Sequence, residues 1–230
     1  VIDDYEKIKI LNNKLETYKF LKKKGFAPPF YEEVSSHDQL DHMINKCNEK
    51  YENLVLKSTN QRGSRSVYFI DKEKRISDFF NNKVTLKELI EDFKKNEKLF
   101  PLMIMEKYFK PVYDIDILTW KGELLKTVQR KRIHSDFPNM GHKVVKIDEI
   151  NEYCENLVSH LDISWLYDCD IMFSENKKPC LLEINPRQSG SLAISIMSGV
   201  NFIDDIINLS LGKKVSKAKK FKESTFVPYK

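Results

Sequence analysis

The chain has 230 residues, enough for one substantial core or two smaller ones, and its 41% hydrophobic and 32% charged content excludes a long disordered tail. Its 39 Lys and Arg stand against 34 Asp and Glu with the signs mixed along the sequence, and no aromatic-interleaved or zinc-finger pattern joins the lysine runs, so no nucleic acid partner is expected. No run of about 18 apolar residues occurs, and Val1-Ile2-Asp3-Asp4 lacks the regions of a signal peptide, which predicts a cytoplasmic protein without a membrane contact.

Ile8, Leu11, Leu15, Tyr18 and Leu21 recur at helical spacing between Asp4 and Lys24, a stripe that stops at Gly25. Phe26-Ala27-Pro28-Pro29 forces an extended exit into a short strand over Phe30 to Val34, and a second helix is predicted from Asp38. Leu54-Val55-Leu56 and Val67-Tyr68-Phe69-Ile70 read as a hairpin whose polar tip, Ser58 to Ser66, surrounds Gly63. A helix over Thr85 to Lys98 precedes the apolar strand Leu102 to Met105.

Tyr113 to Leu118 and Leu124 to Arg132 form a second predicted pair, joined through Lys121-Gly122, and Ile150 to Leu161 a helix. Asp168 to Phe173 and Cys180 to Ile184 flank the polar turn Ser174 to Lys178, and a last helix starts near Leu192. Cys47, Cys154, Cys169 and Cys180 have no C-x-x-C spacing and are read as reduced thiols, although Cys169 and Cys180 could oppose each other across paired strands.

None of the seven glycines builds a dinucleotide fingerprint or a P-loop, and the five histidines form no metal or triad pattern. The strongest local signal is Leu181-Leu182-Glu183-Ile184-Asn185-Pro186-Arg187, where an apolar strand delivers Glu183 and Asn185 on one face, roughly 6 to 7 Å apart. Strand alternation places Asp170 with Asp168 on one side of the preceding strand, and closure of the hairpin over its turn makes Asp170 a neighbour of Glu183. Two adjacent carboxylates in an apolar sheet repel and resist desolvation, which a bridging cation relieves, and an oxygen-only set suits magnesium. The alternative is a pair of solvent-facing acids.

Glu183 to Ala193, E-I-N-P-R-Q-S-G-S-L-A, resembles the metal-binding signature of ATP-grasp enzymes, closest to the carbamoyl phosphate synthetase branch. Asn13 to Thr17 resembles that family's opening segment, and Phe26 to Phe30 its turn into the first small-lobe strand. The resemblance implies an α+β fold of two lobes whose largely antiparallel sheets clamp ATP. Residues 1–104 would form the leading helix and small lobe with its glycine-containing phosphate loop, and 105–230 the large lobe with the hinge and the metal-binding strands.

Carried over position by position, Glu183 and Asn185 would hold magnesium, with manganese as a substitute and Asp170 joining them from the paired strand, and Lys57 and Lys14 would reach the phosphates. Gly63, Ser64 and Arg65 belong to the loop Gln61 to Val67 that closes over them, and Glu106, Lys107 and Tyr108 lie in the adenine-reading hinge. The following Lys110-Pro111-Val112-Tyr113 lacks the family's ribose-binding glutamate, leaving Asp114 or Asp116 either as substitutes or as structural acids. Arg187 matches the arginine that contacts the acyl phosphate, while Arg130 and Arg132 either line the same cavity or pair with surface acids.

The implied activity is that of an ATP- and magnesium-dependent ligase. A carboxylate or bicarbonate is activated as an acyl phosphate for attack by an amine or another nucleophile, so the partners are small-molecule carboxylate and amine substrates. Only about a dozen residues precede Asn13, where ATP-grasp ligases carry a further α/β domain. The alternative is therefore a non-catalytic ATP-binding module or subunit fragment, with a homo-oligomer or a partner supplying the N-terminal domain.

Overall fold

A computed structural model describes residues 2–59, 66–137, 140–217 and 221–228. In chain order the elements are α1 (Tyr5–Leu11), α2 (Lys14–Lys23), β1 (Tyr31–Val34), α3 (Leu40–Asn48), β2 (Asn53–Ser58), β3 (Val67–Asp71), β4 (Ile76–Asp78), β5 (Lys83–Val84), α4 (Leu86–Lys95) and β6 (Leu102–Glu106). There follow β7 (Phe109–Trp120), β8 (Glu123–Arg132), β9 (His142–Val145), α5 (Asp148–Leu161), β10 (Trp165–Phe173), β11 (Pro179–Asn185), α6 (Leu192–Met197), α7 (Phe202–Ser210) and β12 (Thr225–Phe226). Among the described residues the strands make two six-stranded sheets, ordered β1-β6-β2-β3-β4-β5 and β11-β10-β7-β8-β9-β12, with every pairing antiparallel. This is an α+β architecture.

The contacts divide the chain into two compact units. One comprises Asn13–Leu15 and Pro29–Lys107, the other Val1–Asn12, Glu16–Pro28 and Tyr108–Lys230. In the first, Val34, Leu40, Ile44, Leu54, Leu56, Phe93, Leu102 and Ile104 form a core between the sheet and the helices α3 and α4. The start of α4 is defined by a capping box in which Thr85 Oγ1 accepts from Glu88 N at 3.2 Å and the Glu88 carboxylate accepts from Thr85 N at 2.8 Å.

The leading segment, read with the first lobe from sequence, falls largely in the second unit for physical reasons. Asp3 accepts hydrogen bonds from Ser164 N at 2.7 Å and from the Tyr167 hydroxyl, and Phe26 packs edge-on against Tyr153 and His160. The single predicted helix is also broken. Asn12 caps α1, and the Asn13 side chain accepts from Leu15 N at 3.0 Å, because asparagine competes with the helix backbone and favours its ends.

The second unit's sheet has two different faces. On one, buried Ile115, Ile117, Cys169 and Ile171 alternate with the opposite side of their strands, and α5 supplies Ile150, Cys154, Leu157, Val158 and Leu161. On the other, Leu118, Val128 and Leu166 pack in one core cluster with Phe202 and Leu209 of α7. Lys126 on the same face donates to Asp205 at 2.5 Å, an ion pair with side chains only 1% and 10% exposed. The hairpin from β7 to β8 turns through Lys121 and Gly122, both at positive φ, as a two-residue turn matched to strand twist requires.

Candidate functional site

Further along that second face, the apolar residues give way to charges. Strand register places Asp168 opposite both Asn185 and Asp116, and Asp170 opposite both Glu183 and Asp114. Asp114 in turn lies opposite Arg130, two residues before Arg132. Residues opposite in an antiparallel ladder share a face, so five carboxylates, three of them on the predicted metal strands, are gathered beside two arginines.

The buried charges are interlocked. Arg132 donates to Asp114 with Nε at 2.8 and 3.0 Å and with Nη2, and Nη2 also reaches Asp170 Oδ2 at 2.8 Å. His142 Nε2 lies 2.7 Å from Asp114 Oδ2. Fully buried Arg130 pairs with Asp116 at 3.0 Å, lies 3.8 Å from Asp168 and donates to Ser191 Oγ, while Ser195 Oγ donates to Asp116 at 2.5 Å. Arg187, about half exposed, sits 3.6 Å from Asp168 Oδ2.

These surroundings set the protonation of each acid. Burial would raise Asp114, but hydrogen bonds from His142 and Arg132 and the arginine charges prevail and hold it well below the usual carboxylate range. Burial, with the charges of Asp116 and Asp114, pushes Asp168 up to about 7 despite Arg130 and Arg187. Burial first, then neighbouring Asp114, raises Asp170 well above its ordinary value, and the charges of Glu183 and Asp168 add to this against the pull of Arg132. Asp116 is also raised by burial.

Asp170, Glu183 and Asn185 are thus brought onto one face, with Asn185 Nδ2 3.5 Å from both Glu183 Oε1 and Asp168 Oδ2. Among the described residues no three His, Cys, Asp or Glu side chains converge as a closed metal cage would. The open set of two carboxylates and an amide suits an ion whose remaining ligands are water and phosphate.

The other predicted residues are placed as follows. Lys57 is a mostly buried residue of β2, opposite Met103 and Val67. Lys14 opens α2, with its backbone N bonded to Thr59 O at 3.3 Å. Glu106 ends β6 opposite Leu54, Lys107 N donates to Asn53 O at 2.9 Å, and buried Tyr108 begins the other unit. Gly63, Ser64 and Arg65 lie outside the described residues.

Three open readings can be followed in the structure. Asp114 and Asp116 are buried acids paired with arginines, as the structural alternative expects. Arg130 and Arg132 pair with those same acids, which are buried and not the surface acids expected. Cys169 lies opposite Ile184, and Cys180 opposite Met172, so the two thiols do not face each other. Sequence reasoning missed His142, Ser191 and Ser195 as members of the network. Its available signal was the repeated pattern of charges two apart, Asp114/Asp116, Asp168/Asp170 and Arg130/Arg132, which strand alternation turns into one charged surface.

The fold has solved counterparts. Phosphoribosylamine–glycine ligase from Thermotoga maritima matches with a TM-score of 0.74 and 16% identity over 98% of this chain and 61% of its own. The biotin carboxylase domain of Hydrogenobacter thermophilus 2-oxoglutarate carboxylase, solved with MgADP and bicarbonate, matches at 0.68 and 15% over 94% and 49%. L-amino acid ligase from Bacillus licheniformis matches at 0.62 and 18% over 89% and 48%. The chain therefore spans about half to three fifths of the length of these proteins. No curated protein matches the sequence significantly.

A family model described as "ATP-grasp in the biosynthetic pathway with Ter operon" matches residues 98–229, more than half of the chain and all of the strands that carry the charged face. With the fold and the family model in agreement, the chain belongs to the ATP-grasp family of that description.

Proposed function

We propose that the chain is the nucleotide- and metal-binding portion of a ligase that activates a carboxylate, or bicarbonate, as an acyl phosphate for capture by an amine. The observation that carries this reading is the register that sets Asp170 opposite Glu183, with Asn185 on the same face. Those three residues would hold magnesium, or manganese in its place, through oxygen atoms. When bound, the ion supplies neutralising charge for the phosphates of ATP.

The rest is work for the chain's own side chains. Arg132, fixed by Asp114, orients Asp170 from behind, as a partner of a metal ligand does. Arg187 reaches solvent while Asp168 lies beside it, which suits a guanidinium that grips the phosphoryl group in transfer. By their place in the family pattern, Lys14, Lys57, Gly63, Ser64 and Arg65 are assigned to phosphate, and Glu106, Lys107 and Tyr108 to adenine.

No side-chain nucleophile is needed. A substrate carboxylate oxygen bonds to the γ-phosphorus as the bond to the bridging oxygen breaks and ADP leaves. The amine then bonds to the acyl carbon, phosphate departs, and the amine gives up a proton. Positioning and charge stabilisation account for such catalysis. The similarity to two ligases and to a carboxylase domain solved with MgADP and bicarbonate supports this class, and the Glu183 to Ala193 pattern favours the carbamoyl phosphate synthetase-like branch.

The test is ADP release with magnesium and ATP across a panel of bicarbonate, amino acids and sugar-linked carboxylates, alongside calorimetry of nucleotide binding. Carboxylate-dependent release that Glu183→Gln abolishes supports the reading. Equal turnover by Glu183→Gln refutes the metal assignment. Nucleotide binding without release across the panel favours a binding module or a subunit that works with a further domain.

A further inference from the structure

The hairpin from β10 to β11 contains a one-residue slip that decides where Glu183 points. Near the turn, Phe173 lies opposite Pro179, Met172 opposite Cys180 and Ile171 opposite Leu181. The next pairs are Asp170 with Glu183, Cys169 with Ile184 and Asp168 with Asn185, so Leu182 is an extra residue on β11. Without that residue's bulge the turn-end register would continue, placing Asp170 opposite Leu182 and Glu183 opposite Cys169. Glu183 would then share the face of fully buried Cys169 and Ile171, away from the acids.

A bulge interrupts ladder hydrogen bonding, and buried backbone groups left over need other partners. Two phenols, buried Tyr18 and half-buried Tyr153, meet that need at the slip. The Tyr18 hydroxyl, from α2, donates to the Leu181 carbonyl and approaches the Leu182 carbonyl at 3.5 Å. The Tyr153 hydroxyl, from α5, accepts from Leu181 N at 3.0 Å. Both groups stay protonated, since burial raises each well above the ordinary phenol range.

We infer that Tyr18 and Tyr153 are positioning residues, a two-hydroxyl clamp on the Leu181–Leu182 bulge that keeps Glu183 and Asn185 on the face of Asp170 and Asp168. The inference deepens the proposed function and rests on its metal reading. Neither tyrosine touches the cation or the nucleotide. Each acts through the backbone of β11, so its loss changes metal binding by letting the register relax.

The experiment measures manganese binding in the presence of ADP by electron paramagnetic resonance. It also measures ADP binding in EDTA, and amide hydrogen exchange at Leu182 and Glu183. Tyr18→Phe and Tyr153→Phe keep the rings and remove the hydroxyls. Each is expected to weaken manganese binding ~10-fold and to speed exchange at Leu182 and Glu183, with ADP binding in EDTA unchanged. Asp3→Asn is the control, because it loosens the same leading segment at Tyr167 and Ser164 without touching the bulge. It is expected to lower the melting temperature and leave manganese binding as it was.

Wild-type manganese affinity in both phenylalanine variants overturns the inference, as does a loss that Asp3→Asn reproduces. Failure of both variants to fold shows the hydroxyls to be determinants of the fold, and likewise overturns it. Absence of manganese binding by the wild-type chain with ADP overturns the functional reading and this inference with it, an outcome distinct from the others.

Discussion

Asp170 lies directly opposite Glu183 across β10 and β11, two acids paired in a sheet whose reverse face is apolar. Without a cation, like charges so placed are destabilising. Glu183→Gln is therefore expected to raise the melting temperature in EDTA while abolishing the stabilisation that magnesium and ADP confer. Nucleotide-dependent manganese affinity should fall by at least the ~10–100-fold that loss of an outer-sphere partner costs. Differential scanning fluorimetry with and without magnesium checks both signs.

The raised acids predict an unusual pH dependence. Asp168 titrates near 7 in the folded chain and Asp170 well above its ordinary value, against about 3.9 in an unfolded chain. The folded state then binds more protons between those limits, so metal-free stability falls as pH rises from about 4 to about 7, on the order of a few kcal/mol. Asp114, depressed by His142 and Arg132, contributes the opposite sign, stability lost only on acidification below about 4. Urea unfolding in EDTA from pH 4.5 to 8 should show the decline, and magnesium should flatten it.

The buried pair Lys126 and Asp205 ties β8 to α7 beneath the apolar part of the same face. Lys126→Met leaves an uncompensated buried carboxylate and is expected to cost about 3–5 kcal/mol. Lys126→Met combined with Asp205→Leu should recover most of that loss. A double-mutant cycle by chemical denaturation measures the coupling.

In the other unit, Thr85→Ala removes the capping box of α4 and is expected to cost about 1 kcal/mol. Manganese binding with ADP should be unchanged, because the cap joins Thr85 to Glu88 within the first unit. A fall in melting temperature with intact metal binding is the expected result.

Much of this was legible in the residues. Apolar runs and period-two patterns located β1, β2, β3, β6, β7, β8, β10 and β11 to within a few positions, and the helical stripe located α5. The short strands β4, β5, β9 and β12 were not foreseen, since so few residues carry little periodicity and no Pro-Pro exit marks their start as it does for β1. Nor was α7, where Phe202 to Ser210 follows Gly199 and Asn201 closely enough to resemble a tail of α6. The pairing of Asp170 with Glu183 was anticipated from a closed hairpin, yet the extra Leu182 on which it depends has no local signature. Its supports, Tyr18 and Tyr153, lie on helices distant in sequence. Likewise Arg130 and Arg132 were seen to share a face, while the identity of their partners required knowing which strands are neighbours.

The return of the leading helices to the later strands has a consequence for how the chain is made. Tyr18 leaves the ribosome 163 residues before the carbonyl it will bond, whereas Pro29–Lys107 emerges as an almost continuous stretch with its own core. At about 5–20 residues per second that gap is on the order of ten seconds or more. Through that interval the Tyr18 hydroxyl must do without the β11 carbonyl it bonds in the finished fold.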